Sequence, residues 1–139
     1  MFRNILIPTD LTEKSEKALD VALNIHSDGE CTITLLHVIE MIDDAEEEEF
    51  RPFYEKLRER AFRKMEDMVA RIGSYGGNIH MEVLQGNRVR EIVGFARENT
   101  VDLIVLGSHR IENVDQTEGW ATISYRVAIL AHCPVLMVK

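Results

Sequence analysis

Asn4-Ile5-Leu6-Ile7-Pro8-Thr9-Asp10 carries an apolar run that stops at a proline, and three more stretches repeat the design. Ile33 to Ile39 is interrupted only by Thr34 and His37, Leu103-Ile104-Val105-Leu106 stops at Gly107, and Val135-Leu136-Met137-Val138 follows Pro134. Continuous apolar runs of this length suit strands covered on both faces, as in parallel sheets. Ile79-His80-Met81-Glu82-Val83-Leu84 alternates apolar with polar residues, the pattern of a strand with one wetter face, and is expected at a sheet edge.

Between these runs lie four patterns with helical period. Asp10 and Thr12 are good caps for a first helix carrying Ala18, Ala22 and Ile25. The longest pattern has a seam of Phe50, Phe53, Leu57, Ala61, Met65, Met68 and Ile72. A third, with Asn87 as its cap, offers Val89, Ile92, Val93 and Ala96, and its internal Gly94 points to close packing. The fourth carries Ile123, Val127 and Leu130 before Pro134 forbids continuation. The order β-α-β-α-β-α-β-α-β predicts a Rossmann-like α/β fold: a doubly wound, five-stranded parallel sheet with helices on both faces.

The 139 residues and the absence of a composition break predict a single domain, 1–139. Hydrophobic residues make up 45% and charged residues 29%, which describes a folding rather than a disordered chain. A net charge of −8, without a cluster of Lys or Arg along the sequence, argues against nucleic acid and anionic membrane surfaces as partners. The first apolar run is too short for a signal peptide and no stretch of about twenty apolar residues occurs, so a cytoplasmic protein is expected. Cys31 and Cys133 form no Cys-x-x-Cys pair and are expected as buried free thiols. The acidic stretch from Asp43 to Glu49 reads as a solvated loop, and Gly73-Ser74-Tyr75-Gly76-Gly77 as a turn. Trp120 is expected to fill a gap under the last helix.

Ligands of doubly wound sheets bind beyond the carboxyl ends of the strands, where the winding reverses. With the first and fourth strands as neighbours there, those ends read Pro8-Thr9-Asp10 and Gly107-Ser108-His109-Arg110. Asp10 has two readings, an acceptor for ribose hydroxyls or an adenine amine, or a cap of the first helix. Gly107 either admits close backbone approach by a ligand or turns the chain. Thr122, near the start of the fourth helix, can offer hydroxyl and amide to phosphate. Neither a P-loop nor Gly-x-Gly-x-x-Gly is present, the five histidines show no zinc spacing, and Ser108-His109 lies in no nucleophile elbow. No catalytic or metal-ligating residue is assigned.

Asn4 to Asp10, Leu35-Leu36-His37-Val38, Val101-Asp102-Leu103-Ile104-Val105-Leu106-Gly107-Ser108-His109 and His132-Cys133-Pro134-Val135-Leu136-Met137-Val138 together resemble the universal stress protein family. The resemblance runs in order along essentially the whole chain. It implies a five-stranded fold of the adenine-nucleotide alpha-hydrolase type and a cytoplasmic homodimer, with one branch of the family binding ATP and another not. In the ATP-binding branch adenosine is held by a first-strand Asp and a second-strand backbone position, which correspond here to Asp10 and Val38. Pro8, Thr9, Leu106, Ser108 and Ile123, beside the positions so implied, are expected to bind the nucleotide with them. The phosphates of that branch lie against a Gly-x-x-Gly turn and a later Gly-Ser or Gly-Thr pair. Gly107 matches the first glycine, Arg110 stands in place of the second, and Ala121-Thr122 replaces the pair. The gap from Arg110 to Ala121 is one residue longer than the family's usual gap.

These departures have consequences. A Cβ in place of glycine obstructs phosphate approach, whereas the Arg110 guanidinium can pair with phosphate. The 111–119 loop carries three carboxylates and no cation, which repel a triphosphate if they face it. The expected function is a dimeric binding and regulatory module of the stress response, taking ATP with Mg2+ or another adenine nucleotide. The alternatives are a nucleotide-free interaction protein of the same fold and a slow ATP-hydrolysing enzyme. The homodimer is expected through Val135–Val138, whose exposed backbone edge invites pairing.

Overall fold

Parallel pairing in register joins the four apolar runs and the alternating fifth segment. In the structure, a computed structural model describing residues 1–25, 31–41, 49–72, 79–108 and 120–139, with backbone alone at 120–122, β1 (Asn4–Pro8) sits at the centre. It pairs with β2 (Thr32–Glu40) from Asn4↔Thr32 to Pro8↔Leu36, and with β4 (Leu103–Gly107) at Ile5↔Leu103 and Leu6↔Ile104. β3 (Ile79–Gly86) lies outside β2, and β5 (Val135–Val138) outside β4. The order β3-β2-β1-β4-β5 reverses the winding between β1 and β4, and both expected edge strands are at the edges.

The four helices are α1 (Glu13–Ile25), α2 (Arg51–Ile72), α3 (Arg88–Glu98) and α4 (Trp120–Leu130). One face of the sheet buries Ile5, Ile7, Ile33, Leu35 and Val105 with Ala18, Leu19 and Ala22 of α1 and Ala61 and Met65 of α2. The other buries Leu6, Leu36, Val38, Ile104 and Leu106 with Val89, Ile92 and Ala96 of α3 and Val127 of α4. Because β1 and β4 are covered on both faces, their sequences are apolar without alternation.

Several sequence expectations are corrected. Phe50 and Phe53 are exposed and Tyr54 is buried in their place, because α2 begins only at Arg51 and turns Tyr54, not Phe53, inward. Leu130 and Ile25, each last in its helix, are exposed to solvent. No atom lies within 4 Å of a Cβ added to Gly94, so its packing is open rather than close. Cys133 is only half-buried while Cys31 is buried, and burial raises the pKa of both thiols, with the Asp102 charge adding to the effect. Most of the acidic stretch, at 43–48, and the 73–77 turn lie outside the described residues.

Candidate functional site

The carboxyl ends of β1, β2 and β4 meet at a turn organised by Thr9 and Asp10. Thr9 is buried with its groups engaged: its amide donates to Leu36 O (2.8 Å), its Oγ1 accepts from the Leu11 amide (2.9 Å), and its carbonyl accepts from His37 Nδ1 (2.9 Å). Leu11 adopts φ 67°, a left-handed conformation uncommon outside glycine, and thereby swings the chain from β1 into α1.

Asp10 is the hub. Its Oδ1 accepts hydrogen bonds from the Thr12 amide (3.0 Å), the Thr12 hydroxyl (2.5 Å) and the Ser15 hydroxyl (2.7 Å), while its own amide donates to Ser15 Oγ (3.1 Å). Partial burial pushes the carboxyl pKa up. The hydrogen bonds, led by those from Thr12 and Ser15, outweigh that and hold it below the ordinary carboxylate value. The hydrogen bonds of Asp10 tie it to the residues that lead into α1. Oδ1 braces the entry to α1, and no neighbour among the described residues donates to Oδ2. Thr12, directly before the helix, commits its hydroxyl to Asp10.

Val38 lies across from this turn, its side chain 4% exposed in the core beneath α3. Leu36 turns its backbone groups toward β1, as its bond from the Thr9 amide shows. In a parallel ladder, residues two apart address the same neighbour, so Val38 turns its N–H and C=O the same way. β1 has ended at Pro8 by then, so these groups lie beyond its end, on the side of the Asp10 turn. Pro8 is buried at the β1 terminus.

At the end of β4, Leu106 is wholly buried and Ser108 is fully covered, its amide donating to Val138 O at 2.7 Å. Gly107 O accepts from the Ser124 hydroxyl at 3.2 Å, which ties α4 to the strand. A Cβ on Gly107 would lie 2.9 Å from Lys14 O and 3.1 Å from Lys14 C. The close approach this glycine allows in the structure is that of the first turn of α1. Ile123 packs half-buried against the core under α4. Ala121 and Thr122 belong to the first turn of that helix, while their side chains, that of Trp120, Arg110 and the 111–119 loop lie outside the described residues. The structure thus brings Pro8, Thr9, Asp10, Val38, Leu106, Gly107 and Ser108 to one end of the sheet.

Sequence reasoning missed His37 as a site residue, although a polar residue inside an apolar run was the available signal. Its ring is half-buried, and burial lowers its pKa. The nearby charges of Arg88 and Lys64 reinforce that, while the Thr9 carbonyl and Asp10 act against it. The expectation that no Lys/Arg cluster exists holds only along the chain, since folding gathers Arg60, Lys64 and Arg88 around one cavity beside His37. Among the described residues, no three His, Cys, Asp or Glu side chains come together as a metal site, and no helix is long and apolar enough to cross a membrane.

A parallel sheet whose winding reverses between β1 and β4, with helices on both faces, defines a doubly wound α/β domain. The chain belongs to the universal stress protein family, whose family model matches residues 1–139. It is 29% identical over 142 residues to the universal stress protein MJ0531 of Methanocaldococcus jannaschii, with 100% of this chain and 83% of that relative covered. The solved structure of MJ0577, from the same organism, superposes with a TM-score of 0.84 at 31% identity, covering 100% of this chain and 96% of that one. The fold is shared, at TM-score 0.68 and 19% identity, with an Arabidopsis thaliana family protein solved with AMP bound, over 99% of this chain and 91% of that one.

Proposed function

We propose that this protein is a cytoplasmic, homodimeric binding module of the stress response that takes an adenine nucleotide at the ends of β1, β2 and β4. The observation that carries this reading is the pairing of Asp10 Oδ2, an acceptor to which no described neighbour donates, with the donor and acceptor of the Val38 backbone. A ribose diol donates to a carboxylate, and an adenine edge exchanges one donor and one acceptor with a peptide. The AMP in the Arabidopsis relative supports the reading by analogy of fold. ATP with Mg2+ is the finer form of the proposal, with Gly107, Arg110 and Thr122 at the phosphate end. Binding rather than turnover is favoured, because Asp10 is held ionised by hydrogen bonds to its own loop, an arrangement poorly matched to a general acid or base near neutral pH.

The homodimer is proposed through β5, which pairs with β4 on one side and, among the described residues, with no strand on the other. Leu136 on that strand is 38% exposed and Ile129 on α4 is 80% exposed, apolar surface that pairing of two copies would cover.

The test is to denature the purified protein, identify any released nucleotide, and titrate AMP and ATP with and without Mg2+ by calorimetry. Asp10→Asn keeps an Oδ1 acceptor for Thr12 and Ser15 but turns the second oxygen into a donor. It should weaken binding about 10-fold or more, the worth of a charge-assisted hydrogen bond. No released nucleotide and no heat with any of these ligands would reject the reading in favour of a nucleotide-free interaction protein.

A further inference from the structure

A cavity of about 370 Å³ opens where the carboxyl end of β2 meets α2 and the start of α3. Leu11, His37, Arg60, Lys64, Arg88 and Glu40 carry its chemistry. Arg60 and Lys64 stand four residues apart, hence on one face of α2, and Arg88 opens α3 across from them. Arg88 lies 3.8 Å from Glu40, a loose and largely solvent-exposed pair, while neither Arg60 nor Lys64 has an ion pair among the described residues. Three cations therefore face one carboxylate around a concavity, in a chain whose net charge is −8. Like charges collected in this way repel one another in the empty protein, and a multivalent anion relieves the repulsion.

His37 adds a directional group. A carbonyl only accepts, so the hydrogen bond to Thr9 O requires the proton on Nδ1 and leaves Nε2 as the ring's second polar atom, without a partner among the described residues. The half-buried imidazole lies at the rim of the same cavity.

We propose that this cavity is an anion site for an oligophosphate group, held by Arg60, Lys64 and Arg88 with His37 at its edge. A volume near 370 Å³ admits two or three linked phosphates with water, and guanidinium groups suit their oxygens bidentately. The proposal stands apart from the nucleotide reading, because Arg60, Lys64 and Arg88 are none of the residues on which that reading rests. Two sources supply the same chemistry: a free oligophosphate, or the phosphate end of a larger ligand seated nearby.

Pyrophosphate is the probe, titrated calorimetrically into the full chain at low and at physiological ionic strength. The wild type should bind it saturably and more weakly as salt rises. The double charge reversal Arg60→Glu with Lys64→Glu should lose at least ~10-fold in affinity. Lys56→Glu with Arg63→Glu changes the net charge equally on exposed positions of α2 that do not line the cavity, and should bind as the wild type does. The His37 imidazole, followed by NMR, should titrate at higher pH with pyrophosphate present. The groups facing it are Arg88 from α3, Lys64 and Arg60 from α2, Glu40 from β2 and Asp10 from the β1 turn, and the anion offsets the three cations. Displacement of pyrophosphate by ATP would identify a nucleotide as the source, and independent binding of both would identify a free oligophosphate. Absence of saturable binding to the wild type, or equal loss in both double variants, overturns the proposal. Asp10→Asn separates it from the nucleotide reading: AMP binding should fall while pyrophosphate binding is retained.

Discussion

Gly107 and Gly94 are both glycines in regular elements, and the structure predicts opposite consequences for replacing each with alanine. Neither adopts a positive φ, so the backbone tolerates alanine at both positions and the difference is steric. At Gly107 the new methyl would sit 2.9 Å from Lys14 O and 3.1 Å from Lys14 C. Ordinary contacts fall near 3.5–4.0 Å, so β4 and the first turn of α1 must separate by roughly half an ångström or more. That helix cannot shift freely, because Ala18, Leu19 and Ala22 are each 0% exposed and its first turn is bound to Asp10. Overpacking of this kind costs about 1–3 kcal/mol, a fall in Tm of roughly 3–15 °C for a chain this long. At Gly94, with nothing within 4 Å, alanine removes the entropic penalty of glycine in a helix and should stabilise by about 0.5–1 kcal/mol. Urea unfolding of both variants, with unchanged m values as the control for two-state behaviour, reads the two signs directly. Shifts of the same sign, or a Gly107→Ala midpoint indistinguishable from wild type, would refute the reasoning.

Asn87→Ala removes the side-chain acceptor for the Arg90 amide at the start of α3 and should cost about 1 kcal/mol in the same urea assay. Stability should also fall on mild acidification. The folded pKa of His37 lies below its ordinary value of 6.5, so its contribution is full above about pH 6.5 and drains away as pH drops toward the folded pKa. Asp10, likewise depressed, contributes above about pH 4 and loses that contribution in stronger acid; His37→Gln should abolish the first loss and leave the second. Leu136→Lys on the outer strand should shift sedimentation at micromolar concentration from dimer toward monomer without lowering Tm by more than a few degrees, since the side chain is already 38% exposed. A wild type that sediments as a monomer would remove the dimer reading altogether.

The sequence by itself determined the element order, the two-sided burial of β1 and β4, the edge position of β3 and the cap of α3. Each follows from patterns spanning a few residues, because periodicity records which faces are covered and a capping side chain serves its own helix. It also singled out Asp10 and Gly107, since those lie at the ends of runs that periodicity delimits, whereas Val38 came only from the resemblance to the family. What those residues touch was decided by tertiary structure alone. Lys14 meets Gly107 across more than ninety residues, and the bracing of the Asp10 carboxylate depends on how the Leu11 turn delivers Thr12 and Ser15. The basic cavity is the clearest case. Arg60 and Lys64 look like ordinary solvated positions on a long amphipathic helix, and Arg88 like a residue of a first helical turn. Only the packing of α2 and α3 around the end of β2 brings them together, because charge acts through space and the chain gives no local sign of which distant charges folding makes neighbours.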